Sequence, residues 1–130
     1  ETVEQPASEL ALGLEDLPSG WTLAQNQSNA TDVSRIFVHS DGRRLGTGVH
    51  KYDSIEDAES AYDQRLSTVQ ERRSTEPLDL AAESHLYNDN GPVVMYRFGN
   101  VVGTVVLRGA VVSDQAAINF ARDELDNDTE

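Results

Sequence analysis

Two runs of strand-like sequence flank the pair Asp41-Gly42, and this arrangement constrains the fold more than any other feature of the chain. Residues 33–40 and 43–53 alternate in side-chain type, and Asp-Gly between such runs favours a two-residue hairpin turn because both residues tolerate a positive φ. With that turn Ser40 faces Arg43, and the pairing register of both strands follows. The sequence therefore predicts an antiparallel hairpin over this region.

The predicted register assigns the hairpin side chains to two faces of a sheet. The first face carries Ile36, Val38, Leu45, Thr47 and Val49. The second carries Phe37, His39, Arg44, Gly46, Gly48, His50 and Tyr52. Because strand glycines mark the close approach of a ligand or of another backbone, this second face is expected to hold a hollow at its two glycines. We expect either a ligand groove or a site where the second helix or the N-terminal segment packs. The predicted ligand-binding residues are Phe37, Gly46, Gly48, His50 and Tyr52.

A second hairpin is predicted around Gly99-Asn100, between residues 93–98 and 101–108. Both runs are apolar on both faces except for two arginines, which is typical of central strands that are covered on two sides. In this register Tyr96 faces Gly103, and an aromatic ring commonly covers a strand glycine. A further short strand is expected just before, at residues 85–89.

Two capped helices complete the predicted domain. Ser54 begins a helix with apolar residues at steps of three and four, which runs to about Arg73. Ser113 begins the last helix. The inward positions expected on the last helix are Ala117, Ile118, Ala121 and Leu125.

A shorter helix is predicted before the sheet. Ser8 is its expected N-cap, and Pro18 ends it because the residue before a proline avoids the helical region. Leu10, Leu14 and Leu17 would line one side of this helix. Trp21, the only tryptophan, begins the first strand and is expected to hold the short helix against the sheet edge. Residues 25–32 are expected to form a polar loop.

The order short α-β-β-β-α-β-β-β-α predicts an α+β domain, with an antiparallel sheet of about six strands packed with two main helices. This domain is expected to span residues 8–126. Residues 1–7 are expected to be a disordered leader and residues 127–130 a frayed tail. No run of 18 apolar residues exists, so no membrane span is predicted.

The charge of the chain is strongly negative and spread along its length. There are 23 acidic and ten basic residues, for a net charge of −13, and Lys51 is the only lysine. Such a balance is typical of salt-adapted proteins, because at molar salt the Debye length falls to about 3 Å and the carboxylates barely repel. The alternative is an acidic surface for a cationic partner. No nucleic acid partner is expected, since phosphates need a basic patch.

The segments DLPSGW, HKYDSIEDAESAYDQ and VVMYRFGNVVGTVVLRG, with the Ala-rich last helix, resemble a known class of domain. These are small extracytoplasmic, often lipoprotein-type domains of halophilic archaea and of actinobacteria with a PsbP/Mog1-like sandwich, and the resemblance covers roughly residues 8–126. It implies a cell-surface location, with a lipid anchor in the precursor, and no shared catalytic motif. The chain lacks the lipobox cysteine that would mark such an anchor.

Three N-x-[ST] sequons lie in predicted loops or in the tail. They make Asn26, Asn29 and Asn127 candidate glycosylation sites, although sequons also arise by chance in polar sequences.

Residue patterns for catalysis or for metal binding are weak. His39 and His50 are placed about 20 Å apart along the predicted sheet, too far to share one metal. A triad of His50, Ser34 and an acid lacks any supporting local motif. The turn at residues 88–91 lacks the residue order of a calcium loop.

No catalytic residue, metal or cofactor is therefore predicted. The predicted function is a non-enzymatic extracytoplasmic domain that binds a small ligand or a cell-surface protein. One alternative is a structural or assembly role in the cell envelope. The other is a small hydrolase or isomerase that uses His50 and a nearby acid.

Overall fold

The computed structural model describes residues 3–109 and 112–127, and within them three helices pack against a seven-stranded antiparallel sheet. The strands are β1 Trp21–Ser28, β2 Asp32–His39, β3 Arg44–Lys51, β4 Glu76–Pro77, β5 Glu83–Asn88, β6 Pro92–Phe98 and β7 Val101–Arg108. The helices are α1 Ala7–Leu10, α2 Ile55–Gln70 and α3 Asp114–Asp126, with a 3-10 turn at Leu14–Asp16. The predicted α+β class is confirmed, and β4 is the strand beyond the expected six.

The sheet has the order β1-β2-β3-β7-β6-β5-β4. Each half of the chain forms its own run of antiparallel neighbours, and the two runs join where β3 pairs with β7. The two strands that were predicted to be central, β6 and β7, are buried along most of their length. The predicted pair of Tyr96 and Gly103 is also confirmed.

The predicted register of the first hairpin is wrong by one residue. His39 donates its amide to the Arg43 carbonyl over 2.9 Å, so the loop has three residues, 40–42. Gly42 has a φ of 98° and donates to the His39 carbonyl over 2.9 Å. Three-residue loops of this kind need a positive φ at one position only, and the glycine of Asp41-Gly42 provides it.

This one-residue shift exchanges the face on which every β2 side chain lies. Phe37 faces Leu45, while Ile36 faces Gly46. We call the side with Val33, Phe37, Leu45, Val49 and Val105 the α3 face. We call the side with Ile36, Gly46, Gly48, Met95 and Val102 the α2 face.

The two main helices pack on opposite faces of the same strands. Both predicted caps are confirmed: Ser54 accepts from the Asp57 amide, and Ser113 accepts from the Ala116 amide. Helix α2 buries Tyr62 against Met95 on the α2 face. Helix α3 packs on the α3 face through Ala117 and Ala121, against a cluster that includes Val94, Val105 and Leu107.

The N-terminal segment covers the part of the α3 face that α3 leaves uncovered. Leu10 packs there against Val33, Val49 and Val101. The N-terminal segment thus covers parts of β2 and β3 on the α3 face, and α2 lies over β6 and β7 on the other side.

The predicted helix from Ser8 to Pro18 is wrong. Helix α1 begins at Ala7 with Pro6 as its N-cap and stops at Leu10, and Leu14 is 44% exposed. Carbonyls of this segment accept hydrogen bonds from Arg35 of β2 instead of from a continued helix: the Arg35 guanidinium donates to the Ser8 carbonyl over 3.0 Å and to the Leu12 carbonyl over 2.8 Å.

Two other segments differ from the prediction. The predicted polar loop 25–32 is shorter, because residues 25–28 pair with β2 as part of an edge strand whose side chains are exposed on both sides. The connection after α2 contains β4, which pairs with β5.

Residues 3–7 of the predicted leader contact the domain. The Val3 amide donates to Asn100 Oδ1 over 2.7 Å, the Gln5 carbonyl accepts from Lys51 Nζ over 2.7 Å, and Ala7 is buried. Residues 1–2 and 128–130 lie outside the described residues, and the domain limits stay predictions. None of the helices in the described ranges combines the length and the apolar content that crossing a bilayer requires.

Candidate functional site: an open furrow on the sheet

A furrow runs along the uncovered part of the α2 face. Gly46 lies at its centre, and a Cβ placed there would meet no described atom within 4 Å. At Gly48 a Cβ would meet only the Val33 carbonyl oxygen, at 3.9 Å. The prediction that a helix or the N-terminal segment packs into this hollow is therefore wrong for the described residues, because α2 lies over β6 and β7 instead.

The furrow has a volume of about 310 Å³ at its main hollow. Its lining residues are Ile36, Arg44, Gly46, Val106 and Arg108. Ile36 and Val106 flank Gly46 from the neighbouring strands, since Ile36 and Val106 are its direct partners in the two pairings of β3. The hollow is thus apolar along its base and bordered by arginine at one end.

The two arginines lie directly opposite each other. Arg44 of β3 pairs with Arg108 of β7, and both residues are exposed. Arg108 donates to the Asp89 carbonyl oxygen over 3.2 Å. Within the part of the chain that the structure describes, neither guanidinium has an ion-pair partner. Like charges that face each other across a strand pair destabilise a sheet, so this arrangement calls for an explanation.

The opposite end of the same face carries a histidine and an aspartate. His50 of β3 faces Asp32 of β2, and the His50 Nδ1 is hydrogen-bonded to the Asp32 carboxylate. This hydrogen bond lowers the pKa of the Asp32 carboxyl, and its effect is larger than the opposing effect of burial. The Tyr52 ring lies 4.2 Å from the His50 ring, edge to face. Ser34 faces Gly48 between the two ends of the furrow.

The structure brings together four of the five predicted ligand-binding residues. Gly46, Gly48, His50 and Tyr52 follow one another along the α2 face, as predicted. Phe37 does not join them, because it lies fully buried on the α3 face beside Leu45. An aromatic-lined groove at Phe37 is therefore not formed.

Sequence reasoning missed the residues that line the hollow with Gly46. Ile36 was assigned to the other face, because β2 is apolar on both faces and its pattern fits either register. Arg44 and Arg108 meet only through the pairing of β3 with β7, which joins distant parts of the chain. A three-residue loop at Asp41-Gly42 suits the same dipeptide and places Ile36 opposite Gly46.

The three histidines lie apart. His39 contacts Trp21 on the α3 face, with ring centroids 5.0 Å apart. His50 lies on the α2 face, so the prediction that these two share a face is wrong. His85 lies 2.9 Å from the Tyr62 hydroxyl through its Nδ1. In the described ranges, no group of three His, Asp or Glu side chains is arranged to hold a metal ion.

A carboxylate is buried between the sheet and α3. Glu124 is 1% exposed and accepts hydrogen bonds from the Tyr96 hydroxyl over 2.5 Å, the Leu12 amide over 3.0 Å and the Thr47 hydroxyl. Burial raises the pKa of Glu124 to about 7, against the opposing effect of these donors and of Arg35. Glu124 of α3 therefore links the N-terminal segment, β3 and β6 through hydrogen bonds, and this is a structural role.

The cleft beside Arg35 is a polar one of about 430 Å³ between the N-terminal segment and β1. The Arg35 guanidinium in its wall donates to three carbonyls of the N-terminal segment and to Asn26 Oδ1, the last over 3.0 Å. Arg35 thus serves the attachment of that segment.

The three candidate glycosylation sites differ in their surroundings. Asn26 lies in β1 and Asn29 in the turn that follows, and both are exposed. The Asn127 Nδ2, which a glycan would occupy, donates to the Leu10 and Ala11 carbonyls at 3.3 Å.

The predicted turn at residues 88–91 is confirmed as a turn. Asn90 and Gly91 have φ values of 58° and 133°, and the Asp89 carboxylate forms an ion pair with Arg73 at 3.0 Å. The acidic side chains Glu56, Asp57 and Glu59 lie exposed on α2.

No family model, no curated protein and no solved structure matches this chain. The PsbP/Mog1-like resemblance therefore stays a prediction. What the structure supports is an α+β domain, whose described residues form a seven-stranded antiparallel sheet and three helices.

Proposed function

We propose that this chain is a non-enzymatic binding domain, and that its ligand lies in the furrow over Gly46. One observation carries the proposal: the space above Gly46 is open, although apolar side chains flank it on both neighbouring strands. Most ligand sites are concave and largely apolar with a few polar groups at their borders. The furrow has this composition, with Ile36 and Val106 at its base and Arg44 at its border.

A comparison of Gly46 with Gly103 supports ligand binding at Gly46 rather than internal packing. At Gly103 a Cβ would overlap the Tyr96 ring, so this glycine serves the protein's own packing. At Gly46 no described side chain uses the space that the missing Cβ leaves. A glycine inside a strand weakens it, and a ligand that fills the space would offset that cost.

We also propose an extracytoplasmic, salt-adapted setting for this function. The proposal rests on the net charge of −13 with a single lysine, on the resemblance to halophile surface domains, and on the exposure of the sequon residues Asn26 and Asn29. The proposed setting also includes a lipid anchor in the precursor or a partner protein at the cell surface.

The test is a ligand screen in molar KCl, read by amide chemical shifts in heteronuclear NMR spectra. Ligands of the furrow are expected to shift the amides of Gly46, Gly48 and Val106. Gly46→Val is expected to abolish these shifts and to leave the melting temperature unchanged, because a Cβ at this position meets no described atom within 4 Å. Binding that survives Gly46→Val would contradict the proposal.

The first alternative is a role in envelope assembly through the same face of the sheet. The same protein sample tests it. Sedimentation would then show self-association that depends on protein concentration and that Gly46→Val alters. A monomer at all concentrations, together with furrow shifts on ligand addition, supports the binding proposal.

One observation favours hydrolysis as a second candidate function. The His50 Nδ1 is bonded to Asp32, which is how an acid orients a histidine base, and Ser34 lies on the same face. Against it, the side chains of His50 and Asp32 are 42% and 54% exposed, and no hydrogen bond joins Ser34 to His50 among the described residues. Serine catalysis predicts that Ser34→Ala and His50→Gln abolish the hydrolysis of a model ester equally. Loss in His50→Gln alone would indicate only an exposed imidazole.

A further inference from the structure

We infer that the ligand of the furrow is a small amphiphilic monocarboxylate, with its carboxylate between Arg44 and Arg108 and its apolar chain over Gly46. This inference rests on the proposed function, because it names the ligand class of the same site. Three features of the described residues carry it: the pairing of the two arginines, their lack of ion-pair partners, and the apolar hollow beside them.

The pairing of Arg44 with Arg108 places two positive charges close together. Residues directly opposite in an antiparallel pair have Cβ atoms about 4.5–5.5 Å apart. The chain has ten basic residues against 23 acidic ones, so two adjacent arginines without a carboxylate are unexpected by composition. An anion between them would remove the repulsion that the pairing creates.

Three other arginines near the sheet are paired with a carboxylate, whereas Arg35 of β2 donates to backbone carbonyls and to Asn26. Arg43 pairs with Asp41 at 2.9 Å, Arg73 with Asp89 at 3.0 Å and Arg97 with Glu83 at 2.6 Å. In each case a carboxylate of the protein neutralises the guanidinium. At the furrow the corresponding carboxylate is absent from the described residues, and we assign that role to the ligand.

The guanidinium groups favour an anion with a planar oxygen pair. Arginine binds carboxylate and phosphate through two parallel N–H donors. Inorganic phosphate can use the same donors, but it brings no apolar group for the hollow beside the arginines. A monocarboxylate therefore fits the site better than a phosphate does.

The apolar hollow determines the length and the apolar character of the rest of the ligand. Ile36, Gly46 and Val106 form one apolar row across three strands, two residues along β3 from Arg44, or about 7 Å. The next row is formed by Ser34, Gly48 and Thr104, about 13 Å from Arg44 along β3, and the face becomes polar there. A short to medium acyl chain matches this length, and the volume of about 310 Å³ accommodates it without a long lipid tail.

The test compares sodium octanoate with 1-octanol, which has the same chain and no charge, and with inorganic phosphate. Binding is measured by calorimetry in molar KCl, and its position by the amide shifts of Gly46 and Gly48. The variants are Arg44→Gln and Arg108→Gln. The matched control is Arg72→Gln, which removes the same charge from an exposed arginine just after α2.

Octanoate is expected to bind in the furrow more tightly than 1-octanol and phosphate. Its affinity should fall about tenfold or more in Arg44→Gln and in Arg108→Gln, as the loss of a charge-assisted contact implies. It should stay unchanged in Arg72→Gln, and 1-octanol binding should stay unchanged in all three variants. Unaltered melting temperatures would show that the variants are folded.

The two proposals fail in different ways. Equal affinity for octanoate and 1-octanol, or octanoate binding that survives both arginine variants, would overturn the carboxylate inference and leave a furrow for neutral apolar ligands. Tighter binding of phosphate than of octanoate would also overturn it. If neither octanoate nor 1-octanol shifts the Gly46 and Gly48 amides, the carboxylate inference is overturned together with this use of the furrow.

Discussion

Tyr96 donates its hydroxyl proton to Glu124 over 2.5 Å, and both side chains are shielded from solvent between the sheet and α3. The bond ties β6 to α3 across the middle of the domain. It also explains Gly103, whose missing side chain leaves room for the Tyr96 ring. This buried hydrogen bond thus lies opposite the open furrow, on the α3 face of the sheet.

Stability is expected to decrease as pH rises, because of Glu124. Burial raises the pKa of Glu124 to about 7 from an ordinary value of 4.5. The folded state therefore holds this proton more tightly than the unfolded state does, and the stabilisation is complete below pH 4.5 and is lost as pH rises through 7. The loss amounts to about 3 kcal/mol. Urea unfolding at pH 5 and pH 8 measures it.

Glu124→Gln isolates this effect from the three histidines. The variant keeps the shape of the side chain but carries no titrating carboxyl. The difference in free energy of unfolding between the variant and the wild type should therefore shrink or change sign between pH 5 and pH 8. The exposed Glu71→Gln serves as the control. Parallel pH profiles for the wild type and Glu124→Gln would show that the carboxyl does not titrate in this window.

Gly103→Ala is expected to destabilise the fold strongly. The new Cβ would overlap the Tyr96 ring, and overpacking of this kind typically costs about 1–3 kcal/mol. Gly46→Ala makes the same chemical change in the neighbouring strand where no described atom lies within 4 Å, so its melting temperature should stay unchanged or rise slightly. Equal changes in melting temperature for the two substitutions would contradict the conclusion that the α3 face is packed at Gly103 and the α2 face is open at Gly46.

Trp21→Ala is expected to cost about 3–5 kcal/mol of unfolding free energy. The indole is 5% exposed and contacts the ring of Phe120 on α3, with centroids 5.8 Å apart. Trp21 therefore packs β1 against α3, in a cluster that also includes Leu12 and Leu17 of the N-terminal segment. Leu23→Ala in the same strand is the control, because Leu23 is 43% exposed. Chemical denaturation followed by circular dichroism gives both values, and a small loss for Trp21→Ala would argue against this packing role.

Salt is expected to stabilise the fold. With a net charge of −13, repulsion between carboxylates disfavours the compact state at low ionic strength and is screened at molar KCl. Circular dichroism across a KCl series should show a cooperative gain of structure or a rise in melting temperature. Sucrose at matched osmolality separates screening from general solute effects. Full stability in dilute buffer would contradict salt adaptation.

Much of the fold could be predicted because its signals are local. The caps at Ser54 and Ser113 and the limits of β7 depend on residues that are close in sequence, and all are confirmed. The register at Asp41-Gly42 could not be predicted in the same way, because two loop lengths suit this dipeptide. With apolar residues on both faces of β2, the alternation could not decide between them.

The candidate site was predicted in part. Glycines inside a strand indicate open space in any register, so Gly46 and Gly48 were identified from the sequence. Their neighbours depend on pairing: Ile36 comes from β2 and Val106 from β7. The buried Glu124 had no sequence signal, since a glutamate near the end of a helix normally lies in solvent.

The sequence by itself therefore determined the two main helices with their caps, the presence of both hairpins and the acidic composition, because each of these follows from neighbouring residues or from residue counts. Only the tertiary structure decided that β3 pairs with β7, which brings Arg44 opposite Arg108. It also decided that α2 and α3 cover the same strands on opposite faces, which leaves the α2 face open at Gly46. These features depend on contacts between residues far apart in the chain, and the free energy of burying apolar surface can be gained in more than one such arrangement.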